Sequence, residues 1–485
     1  MNPSASIRPF SSFGENLRRH AEALRVVGLA AAALMLYLFE LGKGALPDWD
    51  SAIYAEVSKE MLRGHHWLTP YWDFKPFFEK PPLLYWVQIA SFRLFGMNEL
   101  AARLPSALAG VGIVLLVYAI VRRMAGPLAG VFAGFVLLTT HLFDHVMRQG
   151  TTDALLVLLI YVTVYGYVRL RDGDGRWFYL VCAGLGLGIL DKGPAALVAP
   201  MAIGVDWFFR RREKKLISGR QFWLGMLLLS VIVLPWHIWM VAKFGWAFLN
   251  TYIGYHILER ATRPLEGNGG GLLFYFDIIR RGAFPWCILG VWAAVKWVWR
   301  REWKYSLPWL LMGVTLALYT AVETKLEWYV LPFYPALAME VGRLLAEWTR
   351  KRRVIGYGAA VVILIGFGVA YWKLVSWPGN PVAIQEKELA LVAKSNGDAG
   401  PIFVVGKPGL TPDLDIRTTL FYSDRQVVWQ QLPDKLHKLE VAVKEYPVVD
   451  VVMEKGTAQT VGQEFVVRPV KETSGVVLAR VSQKP

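Results

Sequence analysis

Residues 25–63 read RVVGLAAAALMLYLFELGKGALPDWDSAIYAEVSKEMLR, and the stretch changes character in its middle. Positions 24–41 are mostly apolar over a length close to the roughly 20 residues that a helix needs to cross a bilayer. From position 50 onward Ile53, Val57 and Met61 recur every four residues, which predicts a helix with one apolar face. A bilayer-length run that passes at once into an amphipathic helix predicts a membrane protein with a structured loop outside the first span.

The same kind of run recurs along the chain. Apolar stretches of spanning length occupy about 24–41, 101–121, 126–143, 153–170, 177–191, 193–209, 222–242, 283–299, 305–322, 328–348 and 354–375. The predicted fold is mainly α: a polytopic helical bundle of about 11 spans, with up to 13 as the upper bound. Roughly 24 polar or basic residues precede the first run, which reads as a retained anchor and not as a cleaved signal. Arg18, Arg19 and Arg25 precede the first span, RRREKK (210–215) follows the sixth, and RKRR (350–353) follows the tenth. If each run crosses once, these basic residues share one side, which the positive-inside rule makes cytoplasmic. The N-terminus is then inside and the C-terminus outside.

Composition agrees. Of 485 residues, 55% are hydrophobic and only 19% charged, which excludes a disordered chain or a disulfide scaffold. The 53 Lys and Arg exceed the 38 Asp and Glu by a formal +15. In a soluble protein that would suggest nucleic acid. Here the residues after 381 hold 13 of each sign, so the excess belongs to the basic loops and marks topology instead. No nucleic-acid partner is expected. Cys182 and Cys287 both fall in apolar runs and predict no disulfide.

Two outer loops are long, about 42–100 and 243–282. In the first, PLLYWVQIASFRLF (82–95) fits a second helix lying at the membrane interface. The breaker cluster WPGNP (377–381) ends the apolar part, and of 21 Trp only Trp429 follows it. We therefore divide the chain into a membrane domain, 1–377, and a small outer α/β domain, 382–485. Strands are predicted at 401–406, 417–423, 426–430, 448–453, 464–470 and 476–481, with helices at 384–395 and 434–445.

Residues able to carry chemistry gather on the outer side. Asp48 and Asp50 stand where the first span ends, either as solvated loop carboxylates or as a general base above the bundle. KPFFEKPP (75–82) sets Glu79 beside Lys80 on a backbone stiffened by two prolines. It is a rigid turn, or Lys80 is a point charge for a phosphate. Asp153 opens the run 153–170 as a helix-terminal carboxylate, with Asp144 as a nearby competitor. Asp191 and Lys192 interrupt apolar sequence, where charge is costly and points to function unless the pair only neutralises itself. His256 and Arg260 are four apart, on one face of a helix. Lys325 and Tyr329 lie at the entry of the tenth run, where Tyr is commonly an interfacial anchor. Transporters concentrate such charges near the midplane. Here they collect at one surface, which favours chemistry on a lipid-linked substrate at the membrane–water boundary.

DSAIYAEVSKEML (50–62), WLTPYWDFKPFFEKPPLLYW (67–86) and FRLFGMNELAARLPSAL (92–108) resemble the first outer loop of bacterial lipid A aminoarabinose transferases. GLGILDKGPAAL (186–197), LPWHIWMVAKFGWAFLNTYIGYHILER (234–260) and TKLEWYVLPFYPALAME (324–340) are similar to later parts of the same proteins. With protein O-mannosyltransferases, those enzymes form part of the GT-C glycosyltransferases, and the resemblance covers most of 40–340. It implies an inner-membrane enzyme with a periplasmic C-terminal domain. It also implies transfer of a sugar from a polyprenyl phosphate, such as undecaprenyl phosphate, to a lipid, glycan or protein acceptor. By motif, Asp50 matches the catalytic aspartate, Asp153 a second carboxylate, and Lys80, Arg260 and Tyr329, with Lys325 alongside, the binders of donor phosphate. Glu79 and His256 match a pair that can hold zinc. Ser51, Ile53 and Phe77 stand where aminoarabinose transferases usually have Glu, Arg and Tyr, which implies another sugar or acceptor. Two other readings stay open: a lipid-linked glycan flippase or transporter, whose essential charges would lie inside the bundle, and a membrane-anchored binding protein acting through its outer domain.

Overall fold

The computed structural model describes residues 10–46, 49–210, 217–376, 380–396, 400–406, 416–431 and 436–485. Asp48, most of the run RRREKK and Trp377–Gly379 of the breaker cluster lie outside them. In chain order the helices are α1 Phe10–Leu38, α2 Asp50–Arg63, α3 Leu83–Phe95, α4 Glu99–Ala125, α5 Pro127–Leu137, α6 His141–Val146, α7 Thr152–Leu170, α8 Trp177–Lys192, α9 Val198–Phe209, α10 Gly219–Leu249, the single turn α11 Arg260–Thr262, α12 Phe274–Gly282, α13 Trp286–Trp299, α14 Ser306–Ala321, α15 Phe333–Lys351, α16 Arg353–Ser376, α17 Pro381–Ser395, α18 Ile416–Ser423, α19 His437–Glu445 and α20 Lys455–Glu464. A two-residue hairpin pair, β1 Tyr71–Trp72 and β2 Lys75–Pro76, lies between α2 and α3, and strands β3 Ile402–Gly406, β4 Val427–Gln431, β5 Val449–Glu454, β6 Phe465–Glu472 and β7 Val476–Gln483 occupy the C-terminal part.

Among the described residues, six stretches are long and apolar enough to cross a membrane: Arg19–Leu38, Glu99–Ala125, Thr152–Leu170, Trp177–Phe209, Gly219–Thr262 and Arg353–Lys373. The pair α12 and α13, bent by 116°, would make a seventh. The chain is thus a multi-pass, mainly helical membrane protein. Several sequence runs distribute differently from the eleven expected. Runs 177–191 and 193–209 join into one long stretch with a 3-10 turn at Gly193–Leu197. Run 126–143 divides into α5 and the six-residue α6.

The chain forms two compact units. The first comprises Met1–Phe39, Ser106–Arg148 and Thr152–Val375. Within it α7 packs on α8 and α15 on α5. The second pair is close because Gly342 faces backbone: a Cβ there would lie 2.5 Å from the Ala133 nitrogen. Helices in a membrane associate through such small-residue contacts, since lipid supplies little hydrophobic drive. The buried Asp206 carboxylate in this unit is paired. Asp206 accepts from Tyr167 at 2.8 Å, from Ser306 at 2.6 Å and from Arg210 at 3.1 Å.

The second unit comprises Glu40–Pro105, Gln149–Thr151 and Ser376–Pro485. Its five-stranded sheet has the order β4-β3-β5-β7-β6, parallel among β4, β3 and β5 and antiparallel for β7 and β6. Alternate residues of β3 serve opposite faces. Ile402 and Val404 pack with Leu389 and Ala393 of α17 and Leu420 of α18, whereas Phe403 and Val405 pack with Leu439 and Val443 of α19 and Val461 of α20. A strand covered on both faces reads as a continuous apolar run, which is what IFVVG shows. One expectation is corrected: 417–423, read as a strand, is helix α18. Its Thr, Phe and Tyr content mimics a strand, but six consecutive buried residues, Thr418–Ser423, pack against α17 and α2. Local propensity yields to tertiary burial there.

The amphipathic helix at the head of the sequence is α2, and its apolar face meets α3 as expected: Ile53, Tyr54, Val57 and Met61 pack on Leu84, Tyr85 and Ile89. Its polar face is also buried. Glu56 is 2% and Lys59 2% exposed, paired at 2.5 Å. Glu60, the next acid, accepts from the Phe74 backbone at 3.0 Å. Burial, then the neighbouring Glu56, push its carboxyl up to about 8 from an ordinary 4.5. A carboxyl raised in the folded state holds a proton that the unfolded chain has released, so stability falls as pH rises from about 4.5 to about 8. Glu60→Gln, neutral throughout, should flatten that part of a melting-temperature profile measured in detergent. An unchanged slope would show that Glu60 is solvated.

Candidate active site

In the first unit the polar residues converge on Tyr329. Asp153 lies in the first turn of α7 and is 3% exposed. It receives the Lys192 ammonium at 2.6 Å. Lys192 is the last residue of α8, and its Nζ lies 5.9 Å from the centre of the Tyr329 ring. The Tyr329 hydroxyl in turn accepts from Arg260 at 3.4 Å, and Arg260 also meets Glu266 at 3.1 Å. Two cations thus reach one phenol from different elements. The convergence is built by backbone: Glu323 and Thr324 donate to the carbonyls of Ala261 and Arg260, both at 3.1 Å, and Lys325 to that of Asn268 at 2.9 Å. This lacing brings the segment before Tyr329 against the loop that follows Arg260.

His256 lies in the π-helical stretch Asn250–Glu259 and meets Tyr255 edge-on with 4.9 Å between ring centres. This π-helical stretch, longer than the single turns usual for the type, delivers Arg260 at its end. Lys325 has a different setting. Its buried ammonium donates to the carbonyls of Thr320 at 2.9 Å and Val322 at 2.6 Å, closing the end of α14. Lys325→Met should therefore cost about 1–3 kcal/mol of stability through carbonyls left without a donor. A melting curve in detergent checks this. An unchanged melting temperature with lost affinity for undecaprenyl phosphate would instead give Lys325 a role at the ligand. The competitor Asp144 accepts from the Tyr37 hydroxyl at 2.9 Å, a contact between α6 and α1.

Lys192 is the residue that sequence reasoning undervalued. Its signal was a charged pair inside an apolar run, and the structure supplies what the run could not: Asp153, distant in sequence, as its partner.

In the second unit, Asp50 is the first residue of α2 and is half-buried. A carboxylate there is favoured by the helix dipole. The residue before it, Trp49, has φ 82° and ψ −142°. A bulky residue at such φ is strained by about 1–3 kcal/mol and persists only where its surroundings enforce it. Glu79 and Lys80 are half-buried in the bend between β2 and α3. The Phe77 nitrogen donates to the Pro70 carbonyl at 2.9 Å, which closes the hairpin just before them. Pro82 then caps α3.

Among the described residues, no three His, Cys, Asp or Glu side chains are grouped to hold a metal ion. Glu79 and His256 alone are too few for a closed zinc shell, so no chemistry is derived through a metal.

A family model described as dolichyl-phosphate-mannose-protein mannosyltransferase matches residues 79–239. An undecaprenyl phosphate-alpha-4-amino-4-deoxy-L-arabinose arabinosyl transferase of Edwardsiella ictaluri is 28% identical over 373 residues, which cover 73% of this chain and 66% of that protein. The match thus spans just under two thirds of the relative's length. Among solved structures, ArnT from Cupriavidus metallidurans bound to undecaprenyl phosphate superposes with a TM-score of 0.77 at 19% identity, over 94% of this chain and 97% of that one. The archaeal oligosaccharyltransferase AglB from Archaeoglobus fulgidus, in complex with an inhibitory peptide and a dolichol-phosphate, gives 0.61 at 11% identity, over 91% and 70%. In sequence the chain is thus similar to transferases named for sugars carried on polyprenyl phosphates, and its fold is that of ArnT.

Proposed function

We propose that the chain is an integral-membrane glycosyltransferase. It moves a sugar from a polyprenyl phosphate, in the first instance undecaprenyl phosphate, to a lipid, glycan or protein acceptor at the outer face of the bacterial inner membrane. The observation that carries this reading is the cluster of Lys192, Arg260 and Tyr329 around one point, in a fold shared with a structure that binds undecaprenyl phosphate. Supporting topology comes from the basic loops, which favour a cytoplasmic N-terminus and residues 382–485 as a periplasmic domain.

The chemistry follows from the leaving group. A lipid phosphate departs as an anion and needs charge stabilisation, not a proton. Arg260, Tyr329 and Lys192 supply donors for it, Lys325 supports the segment that presents Tyr329, and the sequence resemblance alone assigns Lys80 to the same phosphate. The acceptor hydroxyl gives its proton to the Asp50 carboxylate as its oxygen bonds the anomeric carbon. The bond from that carbon to the phosphate oxygen breaks, and the electron pair leaves with the lipid phosphate. A single displacement inverts the anomeric centre. Asp153 holds Lys192 in place and orients the donor side.

Purified protein in proteoliposomes, supplied with undecaprenyl-phosphate-linked radiolabelled sugars and a membrane-lipid acceptor mixture, tests the reading. Labelled acceptor supports it. Labelled donor that crosses the bilayer without transfer would favour the flippase instead, a reading that the transferase names of the relatives disfavour.

A further inference from the structure

Within the second unit, one short helix grips the Asp50 segment from both ends. We propose that α18 is a splint that sets the position of the Asp50 carboxylate; the proposal rests on the reading of Asp50 as the general base. Its residues are positioning residues, acting through α2.

The contacts run in chain order. The Arg103 guanidinium donates to the carbonyls of Leu41 at 2.8 Å, Lys43 at 2.9 Å and Ala45 at 2.6 Å, which fixes the chain as it approaches. At Leu46, α18 takes over. The Leu46 nitrogen donates to the Tyr422 hydroxyl at 2.9 Å, and the Thr418 hydroxyl donates to the Leu46 carbonyl at 3.3 Å. Thr418 and Tyr422 are four apart, on one helical face. The Tyr422 hydroxyl is itself committed, donating to Glu99 at 2.8 Å. Next comes Trp49, whose ring lies 3.9 Å from the Arg417 guanidinium carbon. That cation–π contact sits on the residue with the strained backbone, directly before Asp50.

Along the shared side, Ala52 and Ala55 of α2 pack on Phe421 and Tyr422. Small residues allow the two helices to approach closely. At the far end of α2, Lys59 donates to the carbonyl of Phe421 at 2.6 Å. Asp424, just past α18, pairs with Lys59 at 2.9 Å and with Arg63 at 2.6 Å. A helix held at its approach, along its side and at its end cannot slide or turn against its partner. A base displaced by about 1 Å can lose on the order of 10²-fold in rate, so the grip bears on catalysis and not only on stability.

The test uses full-length protein in nanodiscs with Arg417→Ala, Arg417→Lys and Tyr422→Phe, the last removing a single hydroxyl. For the donor that the native protein transfers, kcat should fall about 10- to 100-fold in Arg417→Ala and Tyr422→Phe, while donor KM and undecaprenyl phosphate affinity stay within about twofold. Arg417→Lys, which keeps a cation over the ring, should recover most of the rate. Amide hydrogen exchange should quicken at 49–63 while β3 stays protected. Unchanged kcat, or exchange that quickens equally in β3, would overturn the splint. If Asp50→Asn transfers sugar as well as the native protein, the base assignment fails separately. The exchange readout then still decides whether α18 restrains the segment, with unchanged exchange at 49–63 counting against it.

Discussion

Asp50→Asn should lower the transfer rate by on the order of 10²–10⁴-fold, the range expected when a positioned general base is removed. Asn keeps the shape of the side chain at the start of α2 and gives up only the charge. The stability cost is confined to the lost interaction with the helix dipole, about 0.3–1 kcal/mol. Donor binding should survive, because the phosphate is met by other groups. The decisive measurement is therefore a pair: single-turnover transfer from the radiolabelled donor, and undecaprenyl phosphate affinity on the same preparation. Full transfer with intact affinity would remove Asp50 from the chemistry. Loss of both would place it in donor binding instead.

The second large effect concerns Lys59. Its ammonium meets Glu56 at 2.5 Å, the Phe421 carbonyl at 2.6 Å and Asp424 at 2.9 Å. Asp424 has further partners in Arg63 at 2.6 Å and Lys394 at 2.5 Å, whereas Glu56, 2% exposed, depends on Lys59 for a cation in direct contact. Breaking a buried pair by deleting one member costs about 3–5 kcal/mol, because a charge is left uncompensated. Lys59→Met should destabilise the second unit by that amount at pH 8. Burial already raises the Glu56 carboxyl above its usual range, with Lys59 opposing the rise. Without Lys59 the carboxyl rises further and takes up a proton on acidification, so the penalty should shrink toward pH 5. Melting curves of native and variant protein at the two pH values measure this. A loss below about 1 kcal/mol at pH 8, the scale of an exposed pair, would show that water reaches Glu56.

How much was legible beforehand varies by element. The bounds of α2 followed from its four-residue apolar repeat, and five of the six predicted strands formed because β-branched runs between breakers carry their own signal. What failed to show were partners. Glu56 and Lys59 look like an ordinary solvated face, since a sequence records charge but not the Phe421 carbonyl that will receive it. RTTLFYS looks like a strand for the same reason: the surfaces that bury it on α2 and α17 are hundreds and tens of residues away. Asp153 and Lys192 were each suspected from position, yet their pairing needs the fold, which sets the ends of α7 and α8 together. Residue types and periodicity foretell elements; they do not foretell which distant groups those elements will join.

The second unit is assembled from three separated pieces of chain, the last starting at Ser376. During synthesis this ordering imposes a wait. The helix bearing Asp50 leaves the ribosome early, but Arg417, Thr418 and Tyr422 follow more than three hundred residues later, tens of seconds at about 5–20 residues per second. Until then the helix has its neighbours from the first outer loop but not its anchor. A nascent or prematurely terminated chain would hold its carboxylate out of register, so catalytic competence would arrive only once translation is complete.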